Sequence, residues 1–332
     1  MKIIAETAFH HDGDYPFMTK LVDALCASPA DVVKIHILLN IDQYMLSDHP
    51  AYEFIKERLF TSDQWRKIIE TIRASGKGLM TLLNDVAAAE LAAGYSPELV
   101  ELHSVALNDK SLLDAVKGNF SRDTKVVLGV GGSTLYEIEN AARLFDPRQV
   151  VLMFGFQNYP TRYEDVNFRK VRRIMAAFPE FEYGYADHTA WNEPSNVLIS
   201  LLGAAQGMGY LEKHVTVAYG EDRTDYSAAI SLDMLAELKN GLDILSACNG
   251  DGLLALNAAE KKYCVPGAMK KAAVLVKDVV EGDVLTWDSV VFSRTGQTSD
   301  LSQIDIWNSI GRKFSQSISA GTSINSNHLS VA

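Results

Sequence analysis

A (β/α)8 TIM barrel followed by a small β-rich C-terminal domain is the α/β fold that this sequence predicts, on three observations. Short β-branched runs alternate with helical patterns from the first residue to about position 250, the mark of parallel βαβ units. Eight such runs can be placed, which suits a TIM barrel of roughly 250 residues, whereas doubly wound sheets usually have fewer strands. No Gly-x-Gly-x-x-Gly follows the first run, as a dinucleotide-binding sheet would require.

The expected strands are residues 2–7, 31–38, 78–83, 99–104, 125–130, 149–154, 182–186 and 209–215. Between them lie helices such as 62–75, opened by Ser62 as N-cap with Gln64 and Trp65 following, and closed by Gly76 at the C′ position. The last barrel helix falls at about 231–247, after which the pattern changes to Gly-punctuated strands with no further helix. The expected organisation is a barrel over 1–250, a linker over 251–265 and a β domain over 266–332. Within that last part, Glu281-Gly-Asp-Val-Leu-Thr-Trp-Asp-Ser-Val290 and Ala320-Gly-Thr-Ser-Ile-Asn-Ser-Asn-His-Leu329 share the glycine and the apolar spacing. They suggest two similar turn-plus-strand units in a pseudo-symmetric fold that is too small to be very stable alone.

With 47% hydrophobic residues and no segment near the ~18 consecutive apolar residues of a membrane span, the chain is expected to be soluble, with no membrane partner. The start, MKIIAETAF, lacks the basic stretch and long apolar run of a signal peptide, so a cytoplasmic location is expected. A net charge of -11 disfavours nucleic acid or anionic lipid as a partner, since both need a basic surface. A site for an anionic substrate must then be built locally from a few cations and backbone N–H groups. Cys26, Cys248 and Cys264 are odd in number and far apart, which argues against disulfides or a cysteine zinc site and for three buried, inert thiols.

Side chains alternate along a strand, so Lys34 and His36 share one face of Val33-Lys34-Ile35-His36-Ile37, and Glu212 and His214 share one face of the last strand. Charged groups on the inner face near the C-terminal end of a barrel strand are costly unless they serve a ligand. Glu6, Asp187 with His188, Glu212 and His214 are therefore the candidates. Two histidines on adjacent strand ends ringed by carboxylates suit a divalent transition metal, but imidazoles hydrogen-bonded within the barrel mouth fit the spacing equally. The run Leu128-Gly-Val-Gly-Gly-Ser-Thr134 offers N–H groups to an anion, although a tight turn with Ser133 or Thr134 as N-cap is the plainer reading. Arg162 lies where it would clamp a carboxylate or phosphate, or simply be solvated. Of His10-His11-Asp12 at most one is expected to line the site, and His49, His103 and His328 have no supporting context.

Taken in order, these strand-end segments resemble the sialic acid synthase family across nearly the whole chain. The matches are Ile4-Ala-Glu6 with His11 and Gly13, Val33-Lys34, Asn158-Tyr-Pro-Thr161, Gly184-Tyr-Ala-Asp-His-Thr189, Glu212-Lys-His214, and Asp225 with Ser227. The tail, with Ser293-Arg294-Thr-Gly296 and Ile310-Gly-Arg-Lys313, resembles the family's antifreeze-like (SAF) domain. The resemblance implies condensation of phosphoenolpyruvate (PEP) with an N-acylated hexosamine to give a nonulosonic acid. It implies His188 and His214 as ligands of a divalent metal, manganese by preference, with magnesium or cobalt as alternatives. It gives catalytic roles to Glu6, Lys34, Asp187 and Glu212, with Lys34 holding PEP. Substrate contacts fall to Ser104, Asn108, Gly131, Gln157, Tyr159, Asp225 and Arg294, the last reaching the neighbouring subunit in a domain-swapped homodimer. The chain departs from the family pattern at Glu101-Leu-His-Ser-Val-Ala106, where a phosphate-binding lysine is replaced by Glu101, and at Gly129 to Gly131, His36, Gln157 and Ala186. A member with a different donor and a catalytically silent sugar-binding paralogue are the alternative readings.

Overall fold

The computed structural model describes residues 1–155 and 158–330. Eight parallel strands close into a barrel in chain order: β1 Lys2–Glu6, β2 Val32–Ile37, β3 Gly78–Leu83, β4 Leu99–Leu102, β5 Lys125–Gly129, β6 Val150–Phe154, β7 Glu182–Asp187 and β8 Tyr210–His214. The expected (β/α)8 architecture is thus present, with each strand inside or within a residue of its predicted run.

Alternation sorts the side chains. Outward-facing residues such as Val33, Ile35, Val100 and Leu211 pack under the helices in the main core. Inward-facing Ile4, Val32, Met80, Leu99, Val127, Val151 and Tyr210 form a separate plug that fills the barrel interior. One or two steps further along the same faces the plug ends and polar groups begin: Ile4 leads to Glu6, Val32 to Lys34 and His36, Leu99 to Glu101, and Tyr210 to Glu212 and His214. The barrel therefore has an apolar floor and a charged mouth at the C-terminal strand ends.

Local capping refines the expected helix ends. The helix Ser62–Ala74 is capped by Thr61 rather than Ser62, because Thr61 and Gln64 complete a reciprocal capping box, with Gly76 following at φ 78°. The Gly-rich run after β5 does resolve as a capped turn, with Thr134 and Glu137 closing the start of the helix Leu135–Ala142.

The chain divides into two compact units, Met1–Gly250 and Asp251–Ala332. The second unit is not purely β. Helices Ala258–Tyr263, within the stretch expected to be a linker, and Gln303–Ser309 are each opened by a capping box, Asn257 with Glu260 and Ser302 with Asp305. Polar-x-x-acidic signatures marked both in the sequence and outweighed the surrounding glycines. Antiparallel strands β9 Ala272–Leu275 and β10 Val290–Ser293 sit over a core that includes Leu285, Ile306, Phe314, Ile324 and Leu329. The ten-residue repeat is structural: Gly282 and Gly321 both have left-handed φ, Leu285 and Ile324 are fully buried, and single 3-10 turns Trp287–Ser289 and Ser326–His328 follow. The thiols depart from expectation, since Cys248 is exposed and Cys26 and Cys264 are only partly buried.

Candidate active site

The mouth of the barrel holds a cavity of about 200 Å³ whose walls include Glu6, Lys34, His36, Glu101, His188, Glu212 and His214. At its base Lys34 Nζ lies 3.3 Å from Glu6 Oε2, 2.6 Å from Glu101 Oε2 and 2.8 Å from Glu212 Oε1, and all four side chains are at most 4% exposed. Register explains the convergence: Glu6 pairs with Lys34 on one side and with His214 on the other, while Glu212 lies one inward position behind His214.

Charge is distributed unevenly in this cluster. Burial alone would lower the Lys34 pKa, but Glu101, Glu212 and Glu6 raise it, so the ammonium is permanent. Burial would raise Glu6, yet Lys34, with His214 and His36, holds its carboxyl well below the ordinary carboxylate range. For Glu212 burial and the neighbouring Glu6 push the other way, well above that range. His36 Nε2 is hydrogen-bonded to Glu6 Oε1.

The two candidate metal ligands meet. The His188 and His214 rings are 4.9 Å apart, centroid to centroid, and nearly perpendicular. Burial pushes both imidazoles below their usual pKa, against the pull of Glu6. His188 Nδ1 donates to Ala186 O at 3.0 Å, so the neutral ring carries its lone pair on Nε2. Glu6 Oε2 is buried, 3.3 Å from Lys34 Nζ and 3.6 Å from His214 Nε2. Among the described residues no group of three or more His, Cys, Asp or Glu is arranged to hold an ion. Two neutral imidazoles beside a buried carboxylate oxygen are nonetheless the donor types that a divalent transition metal prefers, with further positions left to ligand oxygens.

Tyr159 and Asp225 close the same wall. The Tyr159 hydroxyl donates to Asp225 O, and its ring stands 5.8 Å from His188 and 5.9 Å from His214. Asp225, at φ 62°, accepts from Phe9 N at 3.0 Å, and its carbonyl is 2.9 Å from His10 Nε2. Of the His10-His11-Asp12 run none lines the cavity directly, and His11 lies in a smaller adjoining pocket. Ser104 lines the cavity beside Gly129, where a Cβ would come within 2.7 Å of Ser104 N, so glycine is what lets the ends of β4 and β5 approach.

Other expected residues lie elsewhere. Asp187 points to the outer face of the barrel, bonded to Lys213 at 2.9 Å, because adjacent residues on a strand face opposite ways and His188 takes the inner side. Asn108 donates to Glu137 O and accepts from Asn140 in a neighbouring groove, and Gly131 lines another pocket beside Phe154. Arg162 is solvated and pairs with Glu164 and Asp165. Gln157 lies outside the described residues. Arg294 is exposed on the second unit, where its Nε donates to Ala268 O at 2.7 Å.

His103, Asn84 and Tyr44 also line the cavity. The first two were within reach of the sequence, one alternation beyond Glu101 and Leu82. Tyr44 comes from the short helix Ile41–Tyr44 after β2, whose placement no periodicity reports.

Residues 27–253 match the NeuB family. The N,N'-diacetyllegionaminic acid synthase of Legionella pneumophila is 22% identical over 346 residues, covering 98% of this chain and 94% of that protein. The human N-acetylneuraminate-9-phosphate synthase is 24% identical over 326 residues, 94% of this chain and 88% of that one. Among solved structures, a spore coat polysaccharide biosynthesis protein E from Chromobacterium violaceum superposes with a TM-score of 0.81 at 19% identity over 99% of both chains. An N-acetylneuraminic acid synthetase from Leptospira borgpetersenii does so with a TM-score of 0.70 at 23% identity, over 78% of this chain and 88% of that one. These superpositions speak to the fold.

Proposed function

The chain belongs to the NeuB family, and on that premise we propose that it is a metal-dependent synthase joining PEP to the aldehyde of an N-acylated hexosamine. In that reaction C3 of PEP forms a bond to the aldehyde carbon, water adds at C2, and the C2–O bond breaks to release phosphate and a nonulosonic acid. The observation that carries this reading is the pair of neutral imidazoles, His188 and His214, set 4.9 Å apart beside Glu6 in the barrel mouth. A divalent ion held there, manganese by preference, would act as a Lewis acid toward the aldehyde oxygen.

The chain's own groups divide the remaining work. Asp225 and Tyr159 face the sugar. Glu212, pushed by burial and by Glu6 toward its protonated form, is the group placed to donate a proton as the aldehyde oxygen becomes an alkoxide. Glu6 stays ionised and orients His36 and His214. The donor end lies between Lys34, Ser104 and Gly129. The C-terminal unit serves as an SAF-like domain, and the working form is a homodimer in which Arg294 reaches the partner's sugar.

A second reading, with another donor, draws support from Lys34. Among the described residues it is the one lysine or arginine in the cavity wall, and it is already bonded to three carboxylates. The test is incubation of the Mn2+-loaded protein with a panel of N-acyl hexosamines and PEP, read by phosphate release and by mass of the product. Mn2+ binding without turnover of PEP by any sugar would favour the second reading, and no turnover with no metal binding would leave a sugar-binding role.

A further inference from the structure

Directly behind the histidine pair, on the outer face of the barrel, Asp187 and Lys213 form an ion pair whose side chains are fully buried. The two residues are register partners on β7 and β8 and make the last rung of that ladder. The residues that follow them are His188, just past the end of β7, and His214, the last of β8, so no further rung of this ladder sets their spacing.

Asp187 is also a junction. Its Oδ2 accepts from Lys213 Nζ at 2.9 Å and from Ser200 Oγ at 2.5 Å, while Oδ1 accepts from Thr189 Oγ1 at 2.7 Å and Thr189 N at 3.1 Å. Ser200 belongs to the helix Asn196–Ala204, whose Asn196 Nδ2 donates to the carbonyls of Thr189 and Ala190 at 2.8 and 2.9 Å. One carboxylate therefore joins β7, β8, the turn after β7 and the helix behind them.

Stability does not account for charges at this position. The outer-face residues that continue this rung onto the adjoining strands, Ala5 and Val33, are apolar, and apolar replacements of buried ion pairs are often as stable or more so. An ion pair differs from an aliphatic contact in direction: its hydrogen bonds specify one relative placement of the two strand ends. We infer that Asp187 and Lys213 are positioning residues that hold the ends of β7 and β8 where His188 and His214 converge on one ion. The inference rests on the reading of the histidine pair given above.

The test compares Mn2+ binding by calorimetry in the full-length native protein and in the double variant Asp187→Leu/Lys213→Met, with thermal unfolding of both measured without metal. The double variant is expected to unfold at or above the native temperature and to bind Mn2+ about 10- to 100-fold more weakly. Unchanged Mn2+ affinity in the folded double variant overturns the inference while leaving the histidine reading intact. No Mn2+ binding by the native protein overturns the histidine reading and this inference with it. Should the double variant fail to fold, Ser200→Ala decides, since it removes one hydrogen bond to Asp187 and leaves the ion pair. A several-fold loss of Mn2+ affinity there supports the positioning role, and native affinity overturns it.

Discussion

Glu101 Oε2 lies 2.6 Å from Lys34 Nζ, and neither side chain is more than 4% exposed. The family resemblance has Lys34 hold PEP, but the structure shows that lysine held by Glu101 on one side and by Glu6 and Glu212 on the others. Replacing the carboxylate by a cation removes a repulsion and adds an attraction, each about 1 to 4 kcal/mol at ~4 Å. Glu101→Lys is therefore expected to bind PEP at least about tenfold more tightly than the native protein in calorimetry. If neither protein binds PEP at millimolar concentration, PEP is not the donor.

His188→Ala and His214→Ala are each expected to abolish Mn2+ binding and to leave the fold intact. Both rings face the cavity, whereas the barrel plug of Ile4, Val32, Met80 and Leu99 lies below them. Elemental analysis after dialysis, paired with thermal unfolding, checks this, and normal metal content in either variant would refute the ligand assignment.

Stability of the metal-free protein should fall on acidification. Burial pushes the imidazoles of His10, His11, His103, His188 and His214 below their ordinary pKa, to about 4 for His11 and about 3 for His103. The unfolded chain takes up these protons near pH 6.5 and the folded chain does not. Their contribution is thus fully present above that pH and is lost below it, by about 1.4 kcal/mol per pH unit for each histidine still neutral in the fold. Urea unfolding at pH 7, 6 and 5 should show the decline, and His11→Asn should make it shallower. A flat profile would mean the buried histidines are already protonated.

The repeat in the C-terminal unit makes a paired prediction. Gly282 and Gly321 have φ near 90° and 81°, and no atom beyond their chain neighbours lies within 4 Å of the point where an alanine methyl would stand, so alanine meets only backbone strain there. Gly282→Ala and Gly321→Ala should each destabilise this unit by about 1 to 2 kcal/mol, read by hydrogen exchange of Leu285 and Ile324. A large cost at one site with none at the other would break the equivalence of the two repeats.

If Arg294 completes the partner's site in a homodimer, as proposed, mixing Arg294→Ala with His214→Ala subunits restores part of the activity that each variant lacks, because one site of the mixed dimer is then intact. No recovery, once subunit exchange has been confirmed by mass spectrometry, would mean that each chain works alone.

Much of the site was legible because alternation is a local property of extended backbone. The polar steps in Val33-Lys34-Ile35-His36 and Leu211-Glu212-Lys213-His214 announced charged groups on one face of a buried strand. The same rule places neighbours Asp187 and His188 on opposite faces, and the two cannot both be site residues. Which of them faces inward was left for the barrel's closure to decide, since inside and outside exist only once eight strands have met in a fixed stagger. Partnership was equally out of reach. That Lys34 is bonded to Glu101 rather than left for a ligand, and that Tyr159, Asp225 and Phe9 share one wall, depends on distant segments meeting at a distance of a few ångströms. Periodicity along one strand carries the identity and face of a charge; the energy of that charge depends on what the rest of the chain brings beside it.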